Sequence, residues 1–124
     1  MPQLSALGIV SSDLARSRAF YGLLGIELPE GDGHVEATLP SGVRLMLDTE
    51  DVVRSFRRDW TRATGNQLGL AFECESPVEV DAVYARVVAA GFAGEKEPFD
   101  AFWGQRYAQL EDPDGVPVDL YAPL

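Results

Sequence analysis

Apolar and polar positions follow one plan twice along this chain, once from Leu4 to Asp48 and again from Gln67 to Tyr121. In the first copy Leu7 and Ile9 alternate with Ala6, Gly8 and Val10, the period of two that marks a strand with one face more apolar than the other. Ser12 and Asp13 then offer an N-cap. Leu14, Ser17, Phe20, Tyr21 and Leu24 recur at helical spacing until Gly25 stops the helix. After the turn-rich stretch Pro29-Glu30-Gly31-Asp32-Gly33, a strand is expected from His34 to Leu39. Pro40-Ser41-Gly42 turns the chain into another from Val43 to Asp48, and Ile26 to Leu28 is a candidate short strand.

The second copy repeats the order. Leu68, Leu70 and Phe72 alternate with Gly69, Ala71 and Glu73. Ser76-Pro77-Val78-Glu79 is a capping box with proline at the first helical position. Val80, Val83, Tyr84, Val87 and Val88 form the expected buried stripe, and Gly91 ends it. Strands near Gln105 to Leu110 and from Val116 to Tyr121 flank the turn Asp112-Pro113-Asp114-Gly115. The predicted fold class is α+β: two tandem βαβββ modules whose curved mixed sheets enclose a ligand cleft. A small α/β unit repeated in tandem tends to leave such a cleft between its copies.

Between the copies lies a connector, Thr49 to Asn66, acidic and then basic, carrying Val52, Val53, Phe56 and Trp60. The four-residue step from Phe56 to Trp60 fits one face of a short helix. It reads equally as a lid over the cleft and as a strap packed on the core. With 124 residues, 46% of them hydrophobic, the chain suits a single domain over residues 1–124, with module 1 at about 4–48, the connector at about 49–66 and module 2 at about 67–122. No apolar run nears the roughly 20 residues of a membrane span, and the start lacks a secretory pattern, so a cytoplasmic location is expected. A net charge of −10 argues against nucleic-acid and membrane partners. The one cysteine, Cys74, alternates with Leu70 and Phe72 and reads as a small core residue.

Two segments carry a family resemblance. Asp13-Leu14-Ala15-Arg16-Ser17-Arg18-Ala19-Phe20-Tyr21 followed by Leu24-Gly25-Ile26 resembles the first-helix signature of the vicinal oxygen chelate superfamily, which includes glyoxalase I, extradiol dioxygenases and bleomycin resistance proteins. Arg106-Tyr107-Ala108 with Asp112-Pro113-Asp114-Gly115-Val116-Pro117-Val118-Asp119-Leu120-Tyr121 resembles its last hairpin. The resemblance implies paired modules around a pocket, a homodimer, and, in the family's metalloenzymes, four inward-facing positions that supply His and Glu to a divalent metal. Those positions hold Ala6, Met46, Gly69 and Asp119 here. A catalytic Zn²⁺ or Fe²⁺ site takes about three protein donors, so one carboxylate is too few and no metal or other cofactor is expected. His34 stands outside all four positions and reads as an ordinary exposed histidine.

Ala6, Gly8, Met46 and Gly69 in place of donors imply an enlarged, mostly apolar cavity suited to a bulky flat ligand. The candidate ligand-binding residues are Met46, Asp48, Phe56, Trp60, Gly69, Phe99, Phe102, Trp103, Tyr107 and Asp119, the aromatics for stacking and the carboxylates for a cation, with Glu73 a further carboxylate able to face it. Phe99-Asp100-Ala101-Phe102-Trp103-Gly104 reads as an aromatic, turn-rich segment, similar to the Trp-Gly segment of bleomycin-resistance-like members. The expected function is metal-free sequestration of a bulky aromatic natural product or antibiotic, cationic or not, with no catalytic residue. The alternative is an enzyme of the same fold, a lyase, isomerase or epimerase with an atypical site that uses Asp119.

Overall fold

The computed structural model describes residues 1–65 and 67–124; Asn66, at the end of the connector, lies outside the described residues. The chain divides into two compact units, Met1–Ala63 and Thr64–Leu124, each with a mixed sheet, the first with two helices and the second with one, which makes the α+β class and the two tandem modules plain.

In the first unit, strand β1 (Ala6–Ser11) leads into helix α1 (Leu14–Leu23), followed by β2 (His34–Thr38), β3 (Arg44–Thr49) and the short helix α2 (Glu50–Phe56). The sheet order is β1-β3-β2, with β1 parallel and β2 antiparallel to β3. Of the two candidate caps, Asp13 is the one used: its carboxylate accepts from the Arg16 amide at 3.1 Å. Leu14, Phe20 and Tyr21 of α1 and Val35, Leu45 and Leu47 of the sheet are buried, with the Phe20 and Tyr21 rings edge to face at 5.0 Å. Ser11 and Ser17, also buried, satisfy one another through a 2.6 Å hydroxyl pair that ties β1 to α1.

Ile26 to Leu28 does not form a strand. The Ile26 amide donates to the Tyr21 carbonyl at the end of α1, and the Leu28 carbonyl accepts from the Arg18 guanidinium, so these backbone groups close the helix end while Ile26 and Leu28 are buried as coil. Helix α2 also starts earlier than the Phe56–Trp60 spacing suggests, capped by the Thr49 hydroxyl, and the chain leaves it at Arg57. Trp60 lies beyond the helix and is contacted by two guanidiniums, Arg54 at 5.1 Å and Arg62 at 5.6 Å from its ring centre. Arg62 is itself pinned to the Glu50 carboxylate at 2.8 Å and to the Val10 carbonyl at 3.4 Å. Up to Trp60 and Arg62 the connector therefore straps onto the first unit.

The second unit contains β4 (Leu70–Glu73), α3 (Pro77–Ala89), β5 (Gly94–Asp100), β6 (Gln105–Glu111) and β7 (Pro117–Pro123), in the order β4-β7-β6-β5, with β4 parallel to β7 and the other pairs antiparallel. The Ser76 hydroxyl accepts from the Glu79 amide at 3.2 Å, and the Glu79 carboxylate reaches back to the Glu75 amide. Val80, Val83 and Val87 are buried, Tyr84 partly, while Val88 turns outward. Arg106 of β6 joins sheet to helix, bonding both oxygens of Asp81 on α3 and also Asp100 on β5. The hairpin turn is built by Asp112, whose buried carboxylate accepts from the amides of Asp114 and Val116 at 2.8 and 2.9 Å, and Gly115 takes the positive φ of 82° that the turn requires.

Strand β5 is the element that local pattern conceals: Phe99 and Asp100, read as part of a turn, are its last residues, and the turn itself is confined to Ala101–Gly104. At its start Gly94 allows a close approach, since a Cβ there would lie 2.3 Å from the Tyr84 hydroxyl. Among the described residues no helix is long and apolar enough to cross a membrane.

Equilibrium urea unfolding separates the two kinds of stabilisation. Phe20→Ala, at a fully buried position, is expected to cost about 3–5 kcal/mol; Ser76→Ala, which removes only the α3 cap, is expected to cost about 1 kcal/mol.

Candidate functional site

Because strand residues alternate between faces, a helix that covers one face of a sheet leaves the other for function. In the first unit that second face carries Gly8, Met46, Asp48, His34, Glu36 and Arg44. The register sets His34 opposite Asp48 and Gly8 opposite Met46, whose methyl lies 3.7 Å from where a Cβ at Gly8 would be. His34 is more than an exposed histidine. Its Nδ1 lies 2.6 Å from Asp48 and its Nε2 2.9 Å from Glu36, while Arg44 donates to the second oxygen of Glu36 at 2.9 Å. The result is a row of alternating charge, Asp48–His34–Glu36–Arg44, across the two strands. Asp48 is thus engaged by a residue of its own unit, a partnership that no local motif announces.

These bonds stabilise the imidazolium, so the hydrogen bond to Glu36 first, and that to Asp48 next, raise the His34 pKa above its ordinary 6.5. Bonds from His34 and Arg44 lower that of Glu36. A raised histidine pKa contributes stability that is fully present below the unfolded value and is lost as pH rises through the folded one. A lowered carboxylate pKa contributes above its unfolded value and is lost as pH falls through the folded one. The row is therefore most favourable in mildly acid solution, between those limits. As the chain has one histidine, its ring protons titrate unambiguously by NMR. The midpoint is expected above 6.5, falling toward it in Asp48→Asn and further in Glu36→Gln.

In the second unit the face turned away from α3 carries the aromatic set. Phe99 pairs with Tyr107 and Tyr107 with Tyr121 across β5, β6 and β7, and the turn adds Phe102 and Trp103. Trp103 is the hub, with ring centres 5.0 Å from Phe102, 5.3 Å from Tyr107 and 6.2 Å from Phe99, all edge to face, while Tyr107 and Tyr121 lie nearly parallel at 6.5 Å. The indole N–H donates to Gln105 at 2.8 Å, and the Tyr107 phenol donates a short hydrogen bond to Asp119. Burial first, then this bond to Asp119, pushes the Tyr107 phenol up to about 12. Beside it on the same face is a shallow hollow of about 190 Å³ lined by Glu95, Gln109, Leu110, Glu111, Pro117 and Asp119. Burial and the neighbouring Glu95 raise the pKa of Glu111.

The structure thus brings Phe99, Phe102, Trp103, Tyr107 and Asp119 together on one face. Met46 and Asp48 share a face of the first unit. Phe56 is 64% exposed near the end of α2, and Trp60 is taken up by its two arginines. Gly69 precedes β4, where a Cβ would only touch Pro117. Tyr121, Gln105 and the Glu95–Glu111 pair belong to the aromatic face but escaped sequence reasoning. The alternation of Asp119 with Tyr121 could have revealed the tyrosine. Cys74 is buried and its thiol is pushed up to about 11 by burial, which suits a core residue and disfavours a nucleophile.

Of the four positions that the family resemblance implies as metal ligands in its metalloenzymes, Ala6, Met46 and Gly69 offer no hard donor, and the Asp119 carboxylate accepts the Tyr107 phenol. This donor set does not fit a divalent metal. Among the described residues no group of three or more His, Cys, Asp or Glu side chains is placed to hold one.

Paired α+β units of this order, with the Asp13-capped helix and the Asp112 turn, define a glyoxalase-like class. The chain belongs to the Glyoxalase/Bleomycin resistance protein/Dioxygenase superfamily, whose pattern its residues 3–120 match. It is similar to the crystal structure of a glyoxalase/bleomycin resistance protein/dioxygenase from Nocardioides, with 29% identity over 100% of this chain and 85% of that one and a TM-score of 0.78. A glyoxalase/bleomycin resistance protein/dioxygenase family enzyme from Burkholderia phytofirmans PsJN shares the fold at 18% identity and a TM-score of 0.87, covering 99% of this chain and 100% of the other. So does a glyoxalase-related enzyme from Fulvimarina pelagi, at 19% identity, a TM-score of 0.84 and 98% and 88% coverage. No curated protein matches the chain.

Proposed function

We propose that this protein is a metal-free member of the superfamily that binds and sequesters a bulky, flat aromatic compound, of the natural-product or antibiotic kind, on the aromatic face of its second unit. The observation that carries the reading is the exposure of that cluster: Phe102 is 97% and Trp103 49% exposed, although both belong to a connected set of five rings. Contiguous apolar surface of this kind marks a binding site more often than it marks idle surface. Asp119, Glu111 and Glu95 beside the rings favour a ligand that carries positive charge, in keeping with the net charge of −10. The poor fit of the donor set to a metal favours holding a ligand over metal-assisted turnover.

Acid–base chemistry at Asp119 is the second reading, favoured by its hydrogen bond from Tyr107 and by the description of the Burkholderia relative as an enzyme. One titration separates the two. A panel of aromatic antibiotics, including bleomycin-type glycopeptides and quinone-bearing DNA-damaging agents, is followed by tryptophan fluorescence. Saturable quenching near one ligand per chain with the compound recovered unchanged is the expected result; an altered compound would establish the enzymatic reading instead. Trp103→Ala is expected to weaken binding by about 2- to 10-fold, the worth of one ring pair, and Trp60→Phe to leave the affinity unchanged.

A further inference from the structure

Lys96 sits on the edge strand β5 between two irregularities in its pairing with β6. Gly94 is opposite Leu110 and Lys96 opposite Gln109, so Glu95 is an extra residue. Phe99 opposite Tyr107 leaves a second extra residue between Lys96 and Phe99. In an unbroken strand, residues three apart point to opposite faces, whereas bulges re-aim side chains. Here the second bulge sets Lys96 and Phe99 on the same face, with the Lys96 ammonium 4.7 Å from the centre of the Phe99 ring. An ammonium over a ring face is held by the negative face of the ring quadrupole.

The neighbouring rings have already spent their donors. The Tyr107 O–H goes to Asp119 and the Trp103 N–H to Gln105. What these rings present is π faces and oxygen lone pairs, a surface that takes a cation and offers little to an anion. The chain's own cation stands on it.

We propose that Lys96 is an internal competitor at a cation subsite of the aromatic face: its ammonium holds the place over Phe99 that the charged nitrogen of an aromatic amine or quaternary ammonium ligand takes, and it swings aside when such a ligand binds. This rests on the reading of that face as a ligand surface. Lys96 thereby sets specificity. It selects for ligands whose flat part engages the remaining rings strongly enough to displace it, and against small cations that bring no such area.

The test measures fluorescence titrations with N-methylacridinium and with neutral acridine at pH 8, in wild type, Lys96→Met and Lys96→Arg, and in Phe99→Leu with and without Lys96→Met. Methionine keeps the length of the side chain and removes the charge. The expected result is that Lys96→Met tightens the cationic probe by about 2- to 5-fold, the value of an exposed cation–π contact. Binding of neutral acridine should not change, Lys96→Arg should behave as wild type, and the gain should vanish in the Phe99→Leu background. Equal tightening of both probes, or a gain that persists without the Phe99 ring, would overturn the role of Lys96 while leaving the aromatic site in place. No saturable binding of either probe to any variant would overturn both.

Discussion

Each sheet of this protein is covered by its helix on one side, and outside the β5 bulges the alternation of strand side chains turns that cover into a sorting rule. Whatever faces the helix must be apolar or internally satisfied: Leu45, Leu47, Val35 and the Ser11–Ser17 pair in one unit, Val118, Leu120, Leu110 and Ala108 in the other. The residue next in sequence is thereby sent to the opposite face. Met46 and Asp48 are displayed because Leu45 and Leu47 are buried, and Tyr107, Asp119 and Tyr121 because Ala108, Leu120 and Ala122 are. The Arg106 bonds to Asp81 and Asp100 are compatible with this register only, since a slip of one residue would carry the guanidinium away from α3.

How much of this was legible in the sequence follows from the range of the interactions. Ser76 with Glu79, Asp13 at α1, and Asp112 with Gly115 announce themselves because cap and turn bonds join residues two to four apart. Strand β5 did not. Its glycine, its proline, four charged residues and two bulges erase the alternation by which strands are recognised. Ile26 to Leu28 departs in the opposite sense: the alternation of Ile26 and Leu28 about Glu27 suggests a strand, but the Ile26 amide and the Leu28 carbonyl are taken by α1.

The candidate site divides along the same line. The aromatic run from Phe99 to Tyr107 was legible as a group because its members are close in sequence, and the hairpin brings Asp119 to them in register. For His34 the sequence shows only half of the arrangement: Glu36 lies two residues along the same strand, but Asp48 is brought to it by pairing across fourteen residues, which no spacing rule reports. Trp60 is legible only as an aromatic in a long connector, which signals an anchor and a lid alike; its contacts with the Arg54 and Arg62 guanidiniums, with Arg62 tied to Glu50 and Val10, are announced by no spacing.

The irregular pairing of β5 also bears on how the molecule survives at high concentration. An edge strand with its amides and carbonyls evenly spaced is a template on which another chain can add a strand, and continued addition leads to aggregates. Two extra residues, a proline at 98 and alternating charge at Glu95, Lys96 and Glu97 leave β5 without the even spacing such growth needs. The distortion that turns a lysine over a phenylalanine is thus also a stop signal at the margin of the sheet, and a variant straightened to sharpen binding would give up part of its solubility.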